Sequence, residues 1–226
     1  MIKNTEKTND PFSNYEDIDF EQQDPVAGES SIIYRVQRYS YADYLTWADD
    51  KMREIIGGIV YLFAAPLRIH AAVIGAFFFK AFSHIRKRKA KCKIYTAPFD
   101  VRLPLNGETD DDKIFDVVQP DIVVVCDPTK LDDKGCIGAP DLIVEVSSPN
   151  TSKLDLEKKF SLYEAVGVKE YWIAFPKEKK VTVFLLQPNG KYADAANYQV
   201  ALGTTKVPVN TLKGLVIDLE ELFEED

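Results

Sequence analysis

Apolar and polar positions fall into short runs whose period changes repeatedly along the chain. From Ser40 the pattern is helical: Ser40 and Asp43 make an S-x-x-D cap, and Tyr44, Leu45, Ala48 and Met52 follow at helical spacing. "REIIGGIVYLF", Arg53 to Phe63, reads as two short strands about Gly57-Gly58, a hairpin signal. A long helix is expected from about His70 to Lys89, apolar first and basic at its end. "KIYTAPFDVRL", Lys93 to Leu103, looks like a strand, as does "VVQPDIVVVCD", Val117 to Asp127. "APDLIVEVSS", Ala139 to Ser148, is apolar on both faces and yet carries Glu145. A helix from about Ser152 to Val166, stopped by Gly167, precedes the strands "EYWIAF" and "VTVFLLQ" and a small β region. The fold class predicted is α/β or α+β, a mixed central β-sheet flanked by helices.

Residues 1–30 lack periodicity and are rich in Asp, Glu, Asn and Gln, which predicts a disordered acidic tail ahead of one domain over 31–226. The chain has 226 residues and a formal net charge of −8. That charge is unevenly spread: residues 1–30 hold eight acids and two lysines, and residues 218–226 hold six acids and no base. The body between them carries 26 Lys+Arg against 22 Asp+Glu, so it can face a polyanion despite the acidic total. Cys92, Cys126 and Cys136 show no zinc-type spacing, and two of the three lie in or beside apolar runs and read as reduced core thiols of a cytoplasmic protein. The polar N-terminus has no apolar signal region, and the run "AAVIGAFFF" is about half a membrane span, so no membrane association is expected.

The acids inside the strands carry the chemistry. Side chains alternate along a strand, so Asp141, Ile143 and Glu145 share a face, as do Asp121, Val123 and Val125. If the two strands pair as a hairpin, Asp121 and Glu145 converge. Two ionised carboxylates buried together repel, and each is costly to desolvate. A divalent cation removes that conflict, and hard oxygens suit Mg²⁺ or Mn²⁺. The competing reading pairs Glu145 with a core Arg or Lys. The two acids, the two Pro-Asp steps and a nearby lysine helix, "SKLDLEKKFSLYEAVG", favour the metal reading: Leu156, Phe160 and Tyr163 mark the packed face of that helix, which Lys159 borders, while Lys158 points about 200° from Leu156 toward solvent. Alone, Lys159 would more commonly be a snorkelling surface residue, with Asp155 its i,i+4 partner.

Several stretches together resemble the PD-(D/E)XK restriction-endonuclease-like superfamily, and within it the Uma-two family of small bacterial proteins. They are "REIIGG", His70, "APFDVRL", "VVQPDIVVVCD" and "GAPDLIVEVSSPNTSKLDLEKKFSLYEAVGVKEYW". The resemblance spans about residues 38–186, and the block from Gly138 to Trp172 is its specific part. It implies metal-dependent hydrolysis of phosphodiester bonds in nucleic acid, with DNA the expected substrate. Asp121 and Glu145 would hold Mg²⁺ or Mn²⁺, Glu54 matches the family's acid near the start of the fold and completes the metal set, and Lys159 is the catalytic lysine. The superfamily lysine stands two residues after the glutamate, where this chain has Ser147, so its role passes to Lys159 on the following helix. His70 matches a family position but reads as structural; Asp100 reads as a supporting acid and Asp141 as a turn residue.

Two other readings follow from the same residues. Ser147 in the lysine position fits a non-catalytic nucleic-acid or protein-interaction module that keeps the nuclease fold. A carboxylate-metal site also fits an enzyme for some other phosphoester. The basic stretch Lys80 to Lys93, with seven Lys+Arg, is either a phosphate contact or a solvated helix end favoured by the helix dipole. A homodimer is the base-rate expectation for oligomeric state. Residues 1–30 offer too little apolar surface to offset ordering entropy. Deleting them should leave the melting temperature nearly unchanged, as a thermal melt of the shortened chain checks.

Overall fold

A computed structural model of the chain describes residues 37–49, 51–63, 67–105, 107–147 and 155–224, without the side chains of 155 and 156. The expected acidic tail lies outside the described residues. Gln37–Asp226 cluster as one unit.

Gly57 and Gly58 both take positive φ, 59° and 82°, a region where a side chain would be strained. Their turn folds β1 (Arg53–Ile56) onto β2 (Ile59–Leu62), and Glu54 stands opposite Tyr61 in the register. Ahead of it, Ser40 caps a helix with the expected reciprocal bonds to Asp43. That helix, α1 (Tyr41–Tyr44), does not run on to Met52. Met52 instead joins the hairpin, its carbonyl accepting from Phe63 N at 3.1 Å, and Trp47 turns to lie under the Arg53 guanidinium. The long helix α2 (Arg68–Arg88) buries Val73, Phe77, Ala81 and Ile85 along one stripe.

Two segments expected as single strands are each divided at a proline. Lys93 to Leu103 becomes β3 (Lys93–Thr96) and β4 (Val101–Arg102), with a cis Ala97–Pro98 bond between them. Val117 to Asp127 becomes β5 (Val117–Val118) and β6 (Ile122–Val125), separated at Gln119-Pro120. Proline offers no N–H to a ladder, and in both cases the chain leaves one sheet for another there. With β7 (Leu131–Asp132) and β8 (Gly135–Ile137), the first sheet runs β2-β1-β5-β4-β8-β7. The second runs β12-β11-β10-β9-β6-β3, where β9 is Leu142–Val146, β10 Glu170–Phe175, β11 Lys180–Leu185 and β12 Ala196–Gln199. A hairpin of β13 (Lys206–Val209) and β14 (Leu215–Asp218) follows. The result is the expected mixed α+β class, with two six-stranded sheets in place of one central sheet.

The second sheet has two apolar faces. Ile122, Val124, Leu142, Val144 and Trp172 pack with the buried stripe of α2. Val123, Val125, Ile143, Tyr171 and Ile173 pack instead with Val101, Val118 and Cys136 of the first sheet and with Leu162 and Tyr163 of helix α3 (Phe160–Val166). Continuous Val/Ile runs in β6 and β9 are therefore explained by burial on both sides. A π-helical turn, Asp155–Lys159, leads into α3, which Gly167 ends at φ 90°. The start of the expected helix, 152–154, lies outside the described residues.

The cysteines depart from expectation. Cys92 and Cys126 form a disulfide, and only Cys136 is a free buried thiol. The antiparallel register pairs Lys93 with Val125, so the next step along puts Cys92 directly opposite Cys126. Two buried acids of the second sheet serve architecture. Asp141, at the bend before β9, accepts from Cys126 N at 2.7 Å and pairs with Lys169, so it also ties the ends of β6 and β9 together. Glu170 accepts from Trp172 Nε1 and from the backbone of Asn210 and Thr211, holding the C-terminal hairpin to β10. Among the described residues no helix is long and apolar enough to cross a membrane.

A candidate active site around a buried lysine

Glu54 comes from the middle of β1, Glu145 from β9, and Lys159 from the π-helical turn before α3. These three elements are distant in sequence, and their side chains meet in a nearly dry space: Glu54 is 1%, Lys159 3% and Glu145 4% exposed. The Lys159 ammonium lies 2.8 Å from Glu145 Oε1, 3.1 Å from Glu54 Oε1 and 3.0 Å from Glu54 Oε2. Gln119 N donates to Glu54 Oε1 at 2.7 Å, and Tyr163 OH donates to Glu145 Oε1 at 2.8 Å. Glu54 Oε2 is buried with no hydrogen bond: its contact with the ammonium is an ion-pair approach without hydrogen-bond geometry. Burial raises the Glu54 pKa above its usual value, Lys159 opposes that rise, and the charge of Glu145 adds to it.

Asp121 stands just before β6. The register between β6 and β9 pairs Ile122 with Val144, and one step further it sets Asp121 across from Glu145. Both lie on the face toward α3, as strand alternation requires. Asp121 Oδ2 accepts from Val146 N at 2.7 Å and lies 2.8 Å from His70 Nε2, at the start of α2. Burial lowers the His70 pKa, against the pull of Glu145, and a neutral ring then meets the carboxylate through a proton on Nε2. The structure thus gives His70 a site contact that the sequence reading withheld; a histidine at a family position was the available signal. Tyr163, read only as a packed residue, also reaches the site.

The expected set is not gathered at one point. Glu54, Glu145 and Lys159 form one group, and Asp121 with His70 sits beside it across the strands. Among the described residues, no three His, Cys, Asp or Glu side chains come together tightly enough to hold an ion by themselves. Lys158 points elsewhere, its ammonium on the hydroxyl of Tyr61. The Asp155 side chain lies outside those described. Asp100 is a supporting acid, accepting from Tyr41 OH, Tyr44 OH and Gln119 Nε2. Gln119 connects it to Glu54, and a cleft of about 360 Å³ opens beside this network, lined by Tyr44, Phe99, Asp100, Gln119 and Asp132 among others. The basic end of α2 is remote: from His70 to Arg88 the helix rises about 27 Å at 1.5 Å per residue.

These features are those of a nuclease-like α+β fold. The structure resembles a crystal structure from Anabaena variabilis, described as "a putative nuclease belonging to DUF820", with a TM-score of 0.64 and 19% identity over 81% of this chain and 97% of that one. The model of the Uma2 family, "Putative restriction endonuclease", matches residues 41–220, and the chain belongs to that family. No curated protein matches the chain.

Two outcomes test the geometry. Because the folded pKa of Glu54 lies above its ordinary 4.5, the native state holds more protons than the unfolded chain between those values. The associated stability is present at low pH and is lost as pH rises through the folded pKa. Glu54→Gln should therefore lose less melting temperature than wild type between pH 4.5 and neutrality. Lys159→Ala should cost about 3–5 kcal/mol, since it strands two buried carboxylates without a cation. Urea melts of both proteins read the difference.

Proposed function

We propose that this chain is a divalent-metal-dependent endonuclease acting on DNA, with Mg²⁺ or Mn²⁺ as its ion. The observation that carries the reading is the union of Glu54, Glu145 and Lys159 in one buried cluster with Asp121 across the strand from Glu145. Family membership supports nucleic acid as the substrate class.

The donor set fits a hard cation. Asp121 and Glu145 offer carboxylate oxygens, and such ions commonly take one or two carboxylates, with waters and phosphate oxygens completing the shell. Glu145 Oε1 receives both of the residue's donors, and among the described residues no hydrogen bond reaches Oε2. Glu54, expected as a third ligand, has both oxygens against the Lys159 ammonium and Gln119 N on Oε1, whereas Lys159 and Tyr163 take only Oε1 of Glu145, so Asp121 and Glu145 are the two that would hold the ion. Bound there, a divalent ion would lower the pKa of a water and offset charge on the phosphate.

The chain's own groups do the rest. Lys159 partly neutralises two glutamates that would otherwise repel an incoming phosphodiester, and its ammonium stands ready to stabilise charge developing on that phosphate. His70 and Val146 N fix the direction of the Asp121 carboxylate. Ser147, where the superfamily lysine is expected, lies on the Glu145 side of the strand and is compensated by the helix-borne Lys159. Phosphate contacts near the cut would come from side chains other than the basic end of α2, which is too far away. The non-catalytic alternative has Ser147 in its favour, and in it the ion-paired acid cluster serves stability alone.

The test is cleavage of assorted single- and double-stranded DNA under Mg²⁺ or Mn²⁺ titration. Wild type should cut only with the ion, and Glu145→Ala should cut at least about 100-fold more slowly, the scale of losing one transition-state charge contact. Lys158→Ala should cut like wild type. A protein that binds DNA and never cuts it, at any ion concentration, would establish the binding-module reading.

A further inference from the structure

Tyr163 lies in α3 four residues after Lys159, so both side chains leave the helix on one stripe and arrive at the same carboxylate. Its ring is fully buried and packs edge-on against Tyr171 at 5.0 Å. Its hydroxyl bonds the same oxygen of Glu145 as the lysine does, each at 2.8 Å. A carboxylate free to turn about its last bond could offer the ammonium either oxygen or both. Two donors on one oxygen remove that freedom, and among the described residues no hydrogen bond reaches the other oxygen.

We infer that Tyr163 is a positioning residue for the metal site: by holding Oε1 of Glu145 together with Lys159, it keeps Oε2 presented to the cation. The inference rests on the metal-dependent reading above and extends it. A purely architectural tyrosine would fill the space beside Tyr171 and have no influence on ion affinity. A positioning tyrosine acts through Glu145, so its hydroxyl matters only while that carboxylate is present.

Mn²⁺ binding to the full chain, measured by calorimetry, separates the two. Tyr163→Phe keeps the ring and removes only the hydroxyl. It should weaken Mn²⁺ binding by about 10–100-fold, the usual effect of losing a partner of a ligating carboxylate. In a Glu145→Ala background the same change should add nothing further, because the coupling between the two residues has already been removed. Mn²⁺ affinity unchanged in Tyr163→Phe, with or without a lower melting temperature, overturns the inference and leaves the metal reading standing. A wild-type chain that binds no Mn²⁺ overturns both. Should Tyr163→Phe fail to fold, anomalous scattering from Mn²⁺ soaked into wild-type crystals decides instead. The ion should sit at Glu145 Oε2 with the hydroxyl still on Oε1, and a hydroxyl that has left Glu145 overturns the inference.

Discussion

One ammonium held between two buried carboxylates is the constraint on which the site depends. Desolvating three charges is expensive, and attraction between them repays it only when every remaining lone pair and proton is well placed. Glu54 and Glu145 are 1% and 4% exposed, so neither can rely on water. Lys159 alone cannot balance both, and the cluster keeps one net negative charge when all three are ionised. Gln119 N and Tyr163 OH add one neutral donor to each carboxylate, and Glu54 Oε2 is left to the ion pair alone. Because the five groups come from β1, the β5–β6 break, β9, the π-helical turn and α3, the site forms only when both sheets and the helix are in place. Stability and chemistry are therefore tied together here more tightly than at an exposed metal site.

The sequence disclosed the parts that follow from periodicity. Strand alternation put Asp121 and Glu145 on one face, and the antiparallel register of β6 and β9 sets them opposite. Helical angles separated Lys159 from Lys158, because Lys159 is three residues from Leu156 and four before Tyr163 while Lys158 lies about 200° from Leu156. The Gly57-Gly58 hairpin was legible from backbone freedom alone. What was not legible depends on partners distant in sequence. Pro98 and Pro120 were visible, but that each would mark a change of sheet required knowing there were two sheets. Cys92 and Cys126 could be paired only through the β3–β6 register, which no local pattern announces. His70 and Tyr163 each bring a polar group to a packed element, and nothing in their spacing says which buried acid they meet. The cap at Ser40 was read correctly and its helix too long, since a cap specifies where a helix begins and tertiary contacts to Trp47 and Met52 decide where it ends.

Ser147 shows what changes when the lysine is carried by a helix. A lysine two residues after Glu145 would share its strand face and be positioned by the sheet itself. Lys159 reaches the same carboxylate from a π-helical turn, a geometry that is rare and often associated with functional sites. Such a turn has fewer neighbouring constraints than a ladder, so the ammonium depends on its two carboxylates for its own placement as much as they depend on it. The arrangement also brings a second helical residue to the site at no extra distance. A strand lysine would leave Tyr163 opposite Glu145 with no cation beside it on the same stripe, whereas the helix delivers cation and hydroxyl together to one oxygen. Moving the lysine from strand to helix thus couples the orientation of Glu145 to the register of α3, and any shift of that helix by one residue would break both contacts at once.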